Sequence, residues 1–215
     1  MSDPRAGVNW GAGDRKNAAA GPGEALGVSV SAATGTMLPV RQRTNDRLYL
    51  HATAQASSNA TGVGNLRAVP FVLPNTLTLS HVGLEVVTAG DAGSTVRVAI
   101  YGDTGYAYPG SLLIEASGAI DGASATVQEL ACAVTLNGGT LYWIASVLQN
   151  ATVVQPTLRI LAHPPMAGPT VGGLPAASTN LVGYQQTAVT AALPTTFTTT
   201  ASTSGVGVRF HIRLA

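Results

Sequence analysis

Val82-Gly-Leu-Glu-Val-Val87 and Thr95-Val-Arg-Val-Ala-Ile-Tyr101 flank a break at Ala89-Gly-Asp-Ala-Gly93. In both runs apolar and polar side chains alternate with the two-residue period of half-buried strands, rich in Val and Ile. The glycines and Asp91 between them are turn chemistry. The pattern extends outward on both sides, to Pro70-Phe-Val-Leu-Pro-Asn-Thr-Leu-Thr-Leu79 before it and to the break Gly102-Asp-Thr-Gly-Tyr-Ala-Tyr-Pro-Gly110 after it. Strands are predicted over residues 47–51, 66–72, 77–87, 95–101, 112–120, 126–134, 141–148, 157–162 and 206–214, the spacing of an all-β sandwich or barrel, and no segment reads as a helix.

The closing strand, Val206-Gly-Val-Arg-Phe-His-Ile-Arg-Leu214, alternates without interruption. Val206, Val208, Phe210, Ile212 and Leu214 are expected to face the core, with Arg209, His211 and Arg213 on the outer face. Tyr142 and Trp143 fall on opposite faces of their strand, so one belongs to the core and the other is partly exposed, with Trp143 expected to be the buried one.

The 215 residues suit one domain with an appendage. Residues 1–45, rich in Gly, Ala and Ser, hold a single short strand candidate at Leu26-Gly-Val-Ser-Val30 and read as an N-terminal attachment arm, either disordered or ordered on neighbouring subunits. Residues 46–215 form the sandwich domain. Within it, residues 164–204 loosen into Pro, Gly, Ala and Thr, a stretch too long for a structureless loop. One or two short strands, near 178–184 and 195–200, or a wrap around a neighbouring subunit are expected there.

Only 10% of the residues are charged while 46% are hydrophobic, and the net charge is +1. Surfaces so poor in charge suit a protein held inside an assembly. With a lone Lys16 and arginines spread along the chain, nothing forms a block that grips a nucleic-acid backbone. The single Cys132, inside Leu130-Ala-Cys-Ala-Val134, has no disulfide partner in the chain and reads as a buried hydrophobe. Met1-Ser-Asp-Pro-Arg5 lacks the regions of a secretory signal and no apolar run reaches about 18 residues, so synthesis in a cytoplasm without membrane insertion is expected.

Catalytic and metal chemistry find little purchase. His51, His81, His163 and His211 show no metal-ligand spacing and no cysteine partner. Asp91, Asp103, Glu115 and Asp121 lie in or beside turns, where capping is the commoner role than paired glycosidase carboxylates or a calcium site. Neither a nucleophile elbow nor a phosphate-cradling loop is present. No catalytic residue, metal ligand or cofactor is assigned.

The aromatic loop is the candidate binding site. Tyr101, Tyr106 and Tyr108 are half of the six tyrosines in a chain that is 5% aromatic. Asp103 can brace the turn, Pro109-Gly110 fits the central positions of a type II turn, and tyrosines on a rigid loop stack on sugar faces and bond hydroxyls. The competing structural reading has Tyr101 packed as a strand residue and Tyr108 covering the sandwich edge.

The run from Val82 to Gly105, with Tyr108-Pro-Gly-Ser-Leu-Leu113 and Gly139-Thr-Leu-Tyr-Trp-Ile-Ala145, resembles a β-sandwich module of virion proteins, found in minor tail and fibre proteins of tailed phages of GC-rich bacteria. The resemblance spans about residues 65–161 and the closing strand. It implies a jelly-roll-like antiparallel sandwich and a virion location, the protein being made in the host bacterial cytoplasm. The expected function is that of a non-enzymatic tail or fibre protein, docked on other virion proteins through its arm, homotrimeric, and presenting Tyr101, Asp103, Tyr106 and Tyr108 to a host-surface glycan. The alternative is a capsid decoration or head-fibre protein without a ligand site.

Overall fold

The computed structural model describes residues 47–51, 56–161, 182–198 and 202–215. The expected arm, its strand candidate at residues 26–30 and residues 164–181 of the loosened stretch lie outside these. The described chain is all β, with no helix. Fourteen strands occur in order: β1 Arg47–Tyr49, β2 Ala56–Ala60, β3 Leu66–Val72, β4 Leu77–Thr88, β5 Thr95–Asp103, β6 Pro109–Glu115, β7 Ile120–Asp121, β8 Val127–Leu136, β9 Leu141–Gln149, β10 Thr157–Leu161, β11 Gly183–Gln186, β12 Ser202–Ser204, β13 Gly207–Val208 and β14 Phe210–Leu214.

They form two antiparallel sheets, an antiparallel β-sandwich. In the first, β4 is central, with β8 on one edge and both β14 and β10 on the other; β1 continues from β14, and β2 and β13 pair with β10. This sheet curls strongly, because β10 meets β4 through Thr157 and Leu158 and then β13 through Ile160 and Leu161. The second sheet runs β12-β11-β3-β9-β5-β6, with β7 on β5.

Alternation places the core. Val69 and Phe71 of β3, Val96, Val98 and Ile100 of β5 and Tyr142, Ile144 and Leu148 of β9 point between the sheets, meeting Leu79, Val82, Leu84 and Val86 of β4 and Phe210 and Ile212 of β14. Each such side chain contributes about 1.5–3 kcal/mol by leaving water. The single strand expected over 206–214 is divided at Arg209 into β13 and β14; the expected pattern holds at Val208, Phe210 and Ile212, which are fully buried, and at Leu214, which packs on the core from a half-buried position, while Val206 lies outside both strands. Cys132 sits in this core, and burial pushes its thiol up to about 11.

The second sheet is buried on its other face as well. Leu66, Ala68, Ala99, Tyr101, Trp143, Ala145 and Val147 point away from the first sheet and are covered by Tyr184, Val189, Leu193 and Phe197. Residues 187–198 therefore act as a strap across the sheet. The expectation that either Tyr142 or Trp143 is partly exposed is corrected: they do lie on opposite faces, yet are 7% and 2% exposed. The strap supplies the second layer.

Other boundaries shift for local reasons. The strand expected over 112–120 divides into β6 and β7 around Gly118, whose φ of 84° needs glycine. Pro109-Gly110 does not form the turn: Pro109 pairs with Asp103 at the start of β6, and positive φ occurs instead at Gly105 and Ala107. β2 and β12 carry no apolar alternation and were not expected, whereas 195–198 bridges only at Thr196, opposite Ser111.

Candidate functional site

The four residues of the candidate binding loop lie at one end of the β5–β6 hairpin, and the structure gives them different surroundings. Tyr101, at the end of β5, is fully buried. Its ring meets Phe197 edge to face at 5.6 Å, and its hydroxyl donates to the Pro194 carbonyl at 3.0 Å. Burial and the nearby Glu115 carboxylate hold its phenol well above the ordinary range. Asp103 does brace the turn, accepting from the Gly105 amide at 2.6 Å, and its other oxygen accepts from Trp143 Nε1 at 2.8 Å. Tyr108 packs against Tyr184, ring centroids 4.4 Å apart, and donates its hydroxyl to the Thr198 carbonyl at 2.5 Å. Tyr106 alone of the four points into solvent, 85% exposed at the turn apex.

Tyr101, Asp103 and Tyr108 thus belong to one fastening. Tyr101 and Tyr108 bond carbonyls of the strap, Arg97 Nη1 and Gln149 Nε2 both donate to Ala191 O at 2.7 and 2.8 Å, Leu112 N donates to Thr195 O at 2.8 Å and Phe197 N to Gly110 O at 2.9 Å. Aromatic side chains that alternation places on an open outer face here meet Tyr184 and the strap residues Pro194, Phe197 and Thr198. The loop is consequently a stiff mount for Tyr106.

A second cluster, unforeseen apart from the outward orientation of His211 and Arg213, occupies the outer face of the first sheet. Register lines up Tyr49, His211, Gly83 and Glu129 in one row across β1, β14, β4 and β8, and Arg47, Arg213 and His81 in the next. Gly83 leaves room for the His211 ring to lie across β4 and donate from Nε2 to Glu129 Oε1 at 3.1 Å; a Cβ there would stand 2.5 Å from that ring and 2.3 Å from the Gln128 carbonyl. Arg47 Nε donates to the same carboxylate at 2.5 Å, Arg213 approaches its other oxygen at 3.3 Å, and Arg213 also donates to His81 Nδ1 at 2.9 Å.

Electrostatics follow from this packing. Burial pushes the Glu129 carboxyl up, but the bonds and charges of Arg47, Arg213 and His211 outweigh it and hold it below its ordinary value. Burial depresses His211, which is only 1% exposed, more than its bond to Glu129 raises it. Further along, Arg159 pairs with Glu85 through two bonds of 3.0 and 2.7 Å, and Arg209 stacks over the Tyr49 ring, 4.9 Å from its centroid. The sequence signal for this cluster was a glycine opposite a histidine on paired strands, visible only once register is known.

Comparison of the chain with protein-family models and with curated proteins finds no match.

Asp91, one of the carboxylates weighed for calcium, is committed to the 150–156 loop: it accepts from the amides of Thr152, Val153 and Val154 at 2.7, 2.7 and 3.0 Å. These bonds hold its carboxyl below the ordinary value. Asp121 caps its own turn through Ala123 N at 2.9 Å. Among the described residues no three His, Cys, Asp or Glu side chains come together as a metal-binding group.

Proposed function

We propose that the chain is a non-enzymatic structural protein of a tailed-phage particle, part of the tail or fibre apparatus, homotrimeric, attached to other virion proteins through residues 1–45 and presenting its sandwich to a host-surface glycan. The observation that carries the glycan contact is the braced hairpin apex: Asp103 fixes the turn to Trp143 and Gly105, and the apex offers one aromatic ring, Tyr106, at 85% exposure. A ring held this way stacks on a sugar with little ordering cost. The β-sandwich, the scarcity of charge and the resemblance of residues 82–113 and 139–145 to virion modules support the structural role.

The second reading, a capsid decoration or head-fibre protein, draws support from the same loop. Three of the four residues assigned to the glycan spend their polar groups inside the molecule, Tyr101 and Tyr108 on the strap and Asp103 on the Trp143 indole. A decoration protein requires such rigidity and no ligand. Cryo-electron microscopy of the particle separates the two: density at the tail tip or a fibre favours host contact, density on the shell favours decoration, and absence from the particle overturns both. Tyr106→Ala, which leaves every fastening intact, then reports on the glycan: retained binding to host cells removes the loop as the contact.

A further inference from the structure

Charge is scarce in this chain and it is sorted. Among the described residues, the outer face of the first sheet carries four arginines, Arg47, Arg159, Arg209 and Arg213, against two glutamates, Glu85 and Glu129. The remaining described charges are Arg67 and Arg97 against Asp91, Asp103, Glu115 and Asp121, so a positive surplus on one face is matched by a negative surplus elsewhere. On the basic face Arg209 is, among the described residues, the cation without a carboxylate in ion-pair contact: its guanidinium lies over the ring of Tyr49, itself 41% exposed, and its Nε is buried without a hydrogen-bond partner.

The complementary patch is at one end of the sandwich. The loops over residues 89–94, 121–124 and 150–156 are tied together there: Gly90 N donates to Gly122 O at 2.9 Å, Asp91 N to Val154 O at 2.9 Å, and the Asp91 carboxylate takes three amides of the third loop. Asp91 and Asp121 are the only charged residues of these loops. Beside them Val153 and Val154 stand 86% and 51% exposed. A loop pinned by so many bonds yet presenting two valines to water is a preorganised apolar contact with an acidic rim.

We propose that this valine-bearing acidic tip of one copy docks on the arginine-rich face around Arg209 and Tyr49 of a second copy. The inference rests on the homo-oligomer in the proposed function, and is independent of the phage and glycan readings. Two different patches meeting give a heterologous contact, which closes into a ring when the rotation permits. Tyr49 and Arg209 supply the aromatic and guanidinium surface that such contacts favour. Opposite charge around an apolar centre sets register and makes association weaken with salt.

Sedimentation of the full chain tests it. The wild type is expected to form oligomers that dissociate as salt rises. Arg209→Glu and the double variant Val153→Asp with Val154→Asp are each expected to sediment as monomers, with the dissociation constant raised by roughly tenfold or more. Should Arg209→Glu fold poorly, Arg209→Gln removes the guanidinium charge over Tyr49 without placing an opposite charge there. An equimolar mixture of a face variant and the tip variant retains one intact pair of patches and is expected to yield two-copy species. Variants that keep the wild-type mass, or a mixture that stays monomeric, overturn the contact while leaving the oligomer standing. A wild type that is monomeric at high concentration overturns both.

Discussion

The two outer faces of the sandwich meet the same requirement in opposite ways. The first sheet leaves its outer face to polar groups, with Glu129 gathering Arg47, Arg213 and His211 along the strands. The second sheet makes its outer face apolar and lays residues 187–198 over it. The strands record the difference. β14 alternates, as a sheet with one dry face demands, whereas Tyr142-Trp-Ile-Ala-Ser-Val-Leu148 of β9 is nearly continuous in apolar residues, as a strand buried on both faces demands.

The largest effect is expected where the strap grips the second sheet. Trp143→Ala removes a buried ring and the donor that anchors Asp103, and is expected to cost about 3–5 kcal/mol in urea unfolding. A cost under about 1 kcal/mol would mean that the strap is not a second core layer.

On the other face, Gly83→Ala drives a methyl against the Gln128 carbonyl and the His211 ring. About 1–3 kcal/mol is expected, the range for overpacking. His211→Ala should restore only part of it, because the backbone carbonyl remains in the way. Full recovery in the double variant would assign the whole clash to the imidazole.

The polar face also carries a pH dependence on the acid side of neutrality. Burial holds His211 below its ordinary 6.5, so as pH falls the unfolded chain takes up the proton before the native one does. This group leaves stability unchanged above that value and lowers it as pH drops from there toward the native pKa, by at most about 1.4 kcal/mol per pH unit. His51, depressed by its own burial, adds to the same slope. Melting of His211→Asn between pH 7.5 and 5.5 should show a shallower decline than wild type, and an unchanged slope would assign the dependence elsewhere.

Smaller effects sharpen the contrast within the binding loop. Tyr101→Phe deletes one bond to the strap and is expected to cost about 1 kcal/mol. Tyr106→Ala, with no fastening to lose, should fall within about 0.5 kcal/mol of wild type.

How much of this the sequence disclosed follows from where information resides. Alternation located β3, β4, β5, β8, β9, β10 and the closing strand, since each has a dry face that dictates residue type. β2, Ala-Ser-Ser-Asn-Ala60, is held by backbone pairing with β10 and has little apolar signal to read. The burial of both Tyr142 and Trp143 was legible in principle from the continuous run, but the covering layer lies some fifty residues later in a Pro- and Thr-rich stretch without a period. Tyr101 and Tyr108 look alike in sequence whether they serve a ligand or a strap; Pro194 and Thr198 decide, and only the fold brings them near. The Gly83 and His211 pairing likewise depends on register.

The strap and the closing strand both come from the final thirty or so residues of the chain, 187–198 and 207–214. Synthesis in chain order leaves the outer apolar face of β3, β5 and β9 uncovered until the strap has been made. β4 likewise waits for β14. Completion of the sandwich is therefore deferred until residues 187–214 have been made, and the nascent chain passes through a period in which its longest apolar strands are open to pairing with those of its neighbours. Truncation of even the last strand is expected to yield insoluble protein where loss of residues at the other end is tolerated, an asymmetry that expression of the two shortened chains would reveal directly.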